Sequence, residues 1–184
     1  GKVALYFNDA GAGANLSILS GKNNYSGGTN IRATTGDYRP AVLSIANVAS
    51  IGSVGSRNLT FSGNSTEAQT GLQLTGTGVT NSNQFDSLTF TSGNGVGIDV
   101  ADPTNTFTLG KNAAGTDITM GGTGVFMKKG AGTLAIASNL TYTGSTLITG
   151  GTVKIDAQAG GALDPGRVQR RAAEGQPAGR GASG

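Results

Sequence analysis

The sequence predicts an all-β chain wound as a single-stranded parallel β-helix of short strands, and three observations lead there. First, apolar–x–apolar triplets recur along the chain, among them Leu43-Ser44-Ile45, Leu59-Thr60-Phe61, Leu72-Gln73-Leu74, Leu88-Thr89-Phe90, Ile98-Asp99-Val100, Phe107-Thr108-Leu109, Leu134-Ala135-Ile136 and Val153-Lys154-Ile155. In an extended segment the outer residues of a triplet share one face and the middle residue takes the other. Second, Gly, Asn, Ser or Thr comes within two residues after six of these eight triplets, and glycine interrupts any helical apolar pattern within three turns. Third, Gly132-Thr133-Leu134-Ala135-Ile136 is echoed by Gly151-Thr152-Val153-Lys154-Ile155, a shift of 19 residues. That shift is too long for a hairpin and too short for a strand–helix–strand crossover of about 30 residues. It fits one lap of three short strands and three corners, with Leu134 stacked over Val153 and Ile136 over Ile155 about 4.8 Å apart.

Within residues 130–156 the parity holds through Leu140, Tyr142, Thr146 and Ile148, with corners at Ser138-Asn139, Gly144-Ser145 and Gly150-Gly151. An upstream copy runs from Asn23 to Ile31. Its Tyr25-Ser26-Gly27-Gly28-Thr29-Asn30-Ile31 matches Tyr142-Thr143-Gly144-Ser145-Thr146-Leu147-Ile148, 117 residues later, which amounts to roughly five laps. Between the copies, Thr34 to Pro40 and Gly63 to Gly71 read as loops projecting from corners, and Asp102-Pro103-Thr104-Asn105 as a tight turn. The dyads stop at Leu163. The expected division is therefore a β-helical domain over residues 1–164 and a disordered Gly/Ala/Arg-rich tail over 165–184, in which residues 167–174 could form a turn of helix.

Composition narrows the function. Of 184 residues 33 are glycine and only 12% are charged, an unusual balance for a cytosolic enzyme. The net charge of +3 comes from the tail: residues 1–164 carry nine basic and nine acidic side chains, whereas Arg167, Arg170, Arg171 and Arg180 face only Glu174. The folded part thus lacks the basic, aromatic-studded surface that nucleic acid requires. Cysteine and histidine are absent, which removes disulfides, thiol catalysis, Ser-His-Asp triads and most transition-metal sites. No targeting signal or membrane-spanning apolar run is present, and the chain reads as an internal fragment.

Each remaining candidate site has a plainer structural reading. Paired carboxylates can hydrolyse glycosides, but Asp99 and Asp102 flank a proline turn where acids cap and solvate. Asp86, Asp99, Asp117 and Lys111 would have to converge from several laps to form a polysaccharide-acting site. Asn94-Gly95-Val96-Gly97-Ile98-Asp99-Val100 partly imitates a calcium-roll nonapeptide, yet occurs once, so a glycine corner before a strand is the preferred reading. Glycine runs at 11–13, 76–78 and 121–124 complete no phosphate-binding motif and read as corners. Tyr25 and Tyr142 share parity with Leu and Ile, which places them at the interior or its edge. Asn58-Leu59-Thr60 implies no glycan in a bacterial chain, and Arg170-Arg171 reflects tail composition. No catalytic, cofactor or metal residue is expected.

Gly130-Ala131-Gly132-Thr133-Leu134, Tyr142-Thr143-Gly144-Ser145-Thr146 and Gly150-Gly151-Thr152-Val153 together resemble the autotransporter-associated β-strand repeat, also called the passenger-associated transport repeat. Its typical form is K-x-G-A-G-T-L-x-L … Y-T-G-x-T-x-x-x-x-G-T-L, with Lys128 or Lys129 as the basic lead-in. The likeness covers residues 121–163 closely and 15–32 more loosely, Ser17 standing where the downstream copy has Leu134. The resemblance implies a right-handed β-helical stalk in the passenger of a Gram-negative autotransporter, extracellular or attached to the outer membrane. Its implied partner is a β-barrel translocator that this chain does not contain. A non-enzymatic spacer is the expected function. The alternatives are an adhesin using residues 33–40 or 63–71 against host or environmental glycans or surfaces, and a polysaccharide-acting β-helix enzyme.

Overall fold

The computed structural model describes residues 5–9, 15–33, 41–62, 68–91, 95–156 and 168–170. Among the described residues fourteen short strands follow one another: β1 (Leu5–Asp9), β2 (Asn15–Leu19), β3 (Thr29–Ala33), β4 (Ala41–Ile45), β5 (Asn58–Ser62), β6 (Ala68–Leu74), β7 (Ser87–Phe90), β8 (Gly95–Val100), β9 (Thr106–Leu109), β10 (Phe126–Lys129), β11 (Thr133–Ile136), β12 (Thr146–Ile148), β13 (Thr152–Ile155) and β14 (Val168–Arg170). Every pairing between them is parallel and joins a strand to its counterpart one lap later. The even-numbered strands form a seven-stranded sheet in the order β14-β12-β10-β8-β6-β4-β2. The odd-numbered ones split into a four-stranded sheet, β1-β3-β5-β7, and a three-stranded sheet, β13-β11-β9. The chain is a parallel β-solenoid.

Each lap crosses the seven-stranded side, then the three-stranded side, then the four-stranded side. Where a side has no strand, irregular backbone still stacks on the neighbouring lap. Thr108 of β9 pairs with Asn81, and its amide donates to Thr80 O at 2.8 Å. Beyond β7 the four-stranded side continues through Ala113 N to Phe85 O and Thr141 N to Met120 O. The lap over 130–150 therefore has two strands rather than the three expected. Thr141 and Thr143 donate to Met120 O and Gly122 O, and glycines at 121, 122 and 124 in that neighbour leave too little regular edge for a ladder.

The expected stacking is present: Leu134 is in register with Val153 and Ile136 with Ile155. Inward side chains pile into continuous columns, Leu43–Leu72–Ile98–Lys128–Ile148 and Ala41–Thr70–Val96–Phe126–Thr146 on the long sheet, and Ile31–Phe61–Phe90 on the four-stranded one. Phe61 and Phe90 stack with centroids 5.5 Å apart and rings inclined by 17°. The three-stranded sheet contributes Phe107–Leu134–Val153 and Leu109–Ile136–Ile155. Ile136 is fully buried while Ile155 is 48% exposed, because β13 has no further strand over it among the described residues. At the other end Ser17 stacks on Leu43, so the polar substitution falls on the first member of its column.

Several boundaries differ from the sequence expectation. The loop read over Gly63 to Gly71 ends sooner: residues 63–67 lie outside the described residues, and Ala68–Leu74 is β6. Gly71 signalled a turn, but here it is a strand residue in register with Gly97, and a Cβ on it would come 3.2 Å from Gly97 O. Gly95 and Gly97 likewise belong to β8 rather than to a corner. The loop over Thr34 to Pro40 lies outside the described residues. So does the tail beyond residue 164 except for Val168–Arg170, which form β14 parallel to β12 instead of a turn of helix. The turn at 102–105 is present, closed by Asn105 N to Asp102 O at 3.1 Å.

Leu72 is fully buried between Leu43 and Ile98, whereas Val54 is 79% exposed. Leu72→Ala is therefore expected to lower the stability read from urea unfolding by about 2–5 kcal/mol, and Val54→Ala to shift it by no more than about 0.5 kcal/mol.

Candidate functional site

The acids proposed as a possible catalytic group occupy separate places. Asp99 sits in β8, its Oδ2 accepting from Gln73 Nε2 at 3.0 Å across adjacent strands. Asp86 precedes β7 and accepts from the backbone N–H of Arg57 at 2.7 Å. Asp117 pairs with Lys111 Nζ at 3.0 Å with both side chains more than half exposed, so the pair is a solvated surface bridge worth little. It closes a small loop in which Asn112 Oδ1 accepts from the amides of Ala114 and Thr116 at 3.0 and 2.9 Å. Asp102 accepts from the hydroxyl and the amide of Thr104 at 2.7 and 2.9 Å. Those two bonds hold its carboxyl below the usual aspartate range, the hydroxyl having the larger effect. These carboxylates cap turns and bridge laps. Among the described residues no three of the His, Cys, Asp and Glu side chains gather as a metal site would require.

What the structure brings together instead is the repeat motif, and it does so at corners. Tyr142 OH and Thr146 Oγ1 share a hydrogen bond, and Tyr25 OH and Thr29 Oγ1 share the equivalent one at 2.5 Å. Both threonines are buried, at 2% and 1% exposure, at the start of their strands. The tyrosine ring lies along the corner and its hydroxyl reaches forward four residues, satisfying a buried polar group that would otherwise be costly. Tyr142 also packs on Phe126 with centroids 5.7 Å apart. Burial raises both phenols above their ordinary value, and the threonine bond works in the opposite sense. The tyrosines are thus at the edge of the interior, as their parity predicted.

The glycines of the motif allow laps to approach. Gly151 has φ of 63°, in the left-handed region, and a Cβ there would collide with the carbonyl of Gly132 in the lap beneath. A Cβ on Gly144 would strike the backbone of Thr123 and Gly124. The basic lead-in is Lys128, which is fully buried in the inward column, while its neighbour Lys129 is exposed. Sequence reasoning left the two lysines undivided. Strand parity separates them: Lys128 shares a face with Phe126, and Lys129 with Met127.

Asn58, the possible glycosylation position, lies in β5 with its Oδ1 accepting from Ser87 Oγ at 2.8 Å. The two repeat copies are about four laps and one face apart, not a whole five laps. The upstream copy begins on the seven-stranded sheet with β2 and ends on β3, whereas the downstream copy begins on the three-stranded sheet with β11 and ends on β12. The intervening laps are longer than the downstream one. Cross-lap hydrogen bonds such as Arg57–Asp86 and Ser82–Lys111 span 29 residues, against 21 for Thr149–Lys128.

Tyr142→Phe keeps the ring contact but leaves the buried Thr146 hydroxyl without this partner, and is expected to cost about 1–3 kcal/mol at neutral pH. The folded state holds the phenolic proton more tightly than the unfolded chain does. The stability linked to it is intact below pH 10.0 and falls as the pH climbs above that value. Urea unfolding on either side of pH 10.0 should therefore show a smaller alkaline loss in Tyr142→Phe than in the unaltered chain.

No curated protein and no solved structure matches the chain. One protein-family model does, and its two matches are residues 12–33 and 126–155, the segments that contain the two Tyr–Thr corners. Two segments of this β-solenoid thus match the passenger-associated transport repeat.

Proposed function

We propose that the chain is a non-catalytic β-helical spacer in the passenger of an autotransporter, holding other segments away from the cell surface. The passenger repeat and the β-solenoid together support a structural role in such a passenger, and the family implies secretion to the cell surface with an outer-membrane translocator as partner. In this reading the cell is Gram-negative, and the stalk is the solenoid over residues 1–164 together with β14, which pairs with β12.

The observation that carries the proposal is the use to which the motif residues are put. Tyr25, Thr29, Tyr142, Thr146, Gly132 and Gly151 all serve contacts between or within laps, and the acids cap turns or bridge strands. A repeat whose signature residues build corners selects for stacking rather than for a ligand. Solenoid stability is roughly a sum of lap and neighbour terms, so laps can form one after another as the chain emerges. Winding outside the cell then biases the chain against sliding back.

A proline in the middle of β11 would remove a ladder donor from a strand paired on both sides. With the chain joined to its translocator, Ala135→Pro is expected to reduce the amount displayed at the surface several-fold, and Ala135→Val to leave it unchanged. Equal display of both variants would contradict the coupling of winding to export.

A further inference from the structure

Lys22, Lys111, Lys129 and Lys154 are exposed, as lysines usually are, but Lys128 is fully buried. Strand β10 places it in the aliphatic column with Ile98 on one side and Ile148 on the other. Its stem replaces a leucine or isoleucine there, and its ammonium extends to the corner that follows. At that corner Nζ donates to the carbonyls of Lys129, Gly130 (2.9 Å) and Gly150 (3.3 Å). Gly130 and Gly150 open successive turns of the downstream repeat, and Gly150 lies 22 residues beyond the lysine. A charge removed from water is tolerated only when it is fully hydrogen-bonded. The third bond of this ammonium comes from the following lap rather than from its own corner.

We propose that Lys128 is a latch between laps, its ammonium tying the Gly130 corner to the Gly150 corner so that strands β10 to β13 open and close as one unit. Until the lap reaching Gly150 is in place, the ammonium has only carbonyls of its own corner and keeps its remaining hydration. Closure of that lap completes the carbonyl set and excludes water from the charge. The one acid on a strand packed against it is Asp99 of β8, whose charge favours the ammonium; β11 and β12 carry no ionisable side chain, and Lys129 points outward. The lysine therefore contributes register as well as filling. A slip of β10 would carry the charge away from its carbonyls and leave it buried without partners, whereas a leucine would tolerate the slip.

The test is amide hydrogen exchange of the whole chain with Lys128→Met, a substitution that keeps the stem and suits the column. The amides of Thr149 and Thr152, which donate to Lys128 O and Gly132 O, should lose at least roughly tenfold in protection. Those of Thr75 and Ala101, which donate to Ile45 O and Leu74 O in earlier laps, should change by less than about twofold. Undiminished protection at Thr149 and Thr152, or an equal loss at all four positions, would overturn the latch. A second measurement uses the unaltered chain and decides the matter should the variant fail to fold: labelling of Lys128 by acetic anhydride across a urea series. The labelled fraction should rise together with exchange at Thr149 and Thr152; labelling of Lys128 while those amides remain protected would overturn the proposal.

Discussion

The fold depends on like stacking upon like. In a parallel ladder each inward side chain meets the residue at the same position one lap before and one lap after, at the spacing between neighbouring strands. In the column Leu43–Leu72–Ile98 the central Leu72 is matched in size and apolarity by the residue on either side and is fully buried. The ladder fixes register but leaves lap length free, since corners absorb extra residues without disturbing the strands. Cross-lap bonds spanning 29 residues and others spanning 21 coexist in one solenoid for that reason. The additional residues form the short 3-10 turns at Val48–Ile51 and Ser82–Gln84 and the loop closed by Lys111 and Asp117.

Seen this way, the repeat motif is a description of corners. Strand positions tolerate many combinations of aliphatic and aromatic residues, so they leave a weak imprint on sequence. Corners demand more: a glycine where two backbones touch, a tyrosine whose hydroxyl reaches a buried threonine, a lysine whose ammonium gathers carbonyls. The same Tyr–Thr bond forms in two copies that start on different sides of the solenoid. The corner is therefore a local device, independent of the sheet it joins, and the surrounding laps can carry it to either side.

How much of this could be read from sequence follows from the same physics. The Leu134–Val153 and Ile136–Ile155 stacking was legible because the lap between them is short and its ends are near copies. The tyrosine positions were legible from parity alone. The phase of the upstream copy was not, because the intervening laps vary in length and sequence spacing then no longer counts turns. Gly71, Gly95 and Gly97 were misread as turn and corner residues, since a glycine allows a bend and a close strand contact equally well. Lys128 was missed as an interior residue because a lysine in an apolar column departs from the usual ranking, and only strand parity separated it from Lys129. Strand β14 had no apolar dyad to announce it.

A pair of engineered cysteines tests the stacking most directly, because the chain has none of its own. Thr133 and Thr152 are in register on adjacent strands, within the Cα separation of about 4.4–6.8 Å that a disulfide spans. Thr133→Cys combined with Thr152→Cys should oxidise to an intramolecular bridge, whereas Thr133→Cys combined with Lys154→Cys, two residues out of register, should remain reduced. Bridging of the offset pair in preference to the matched pair would contradict a solenoid in which each lap rests on the one before it.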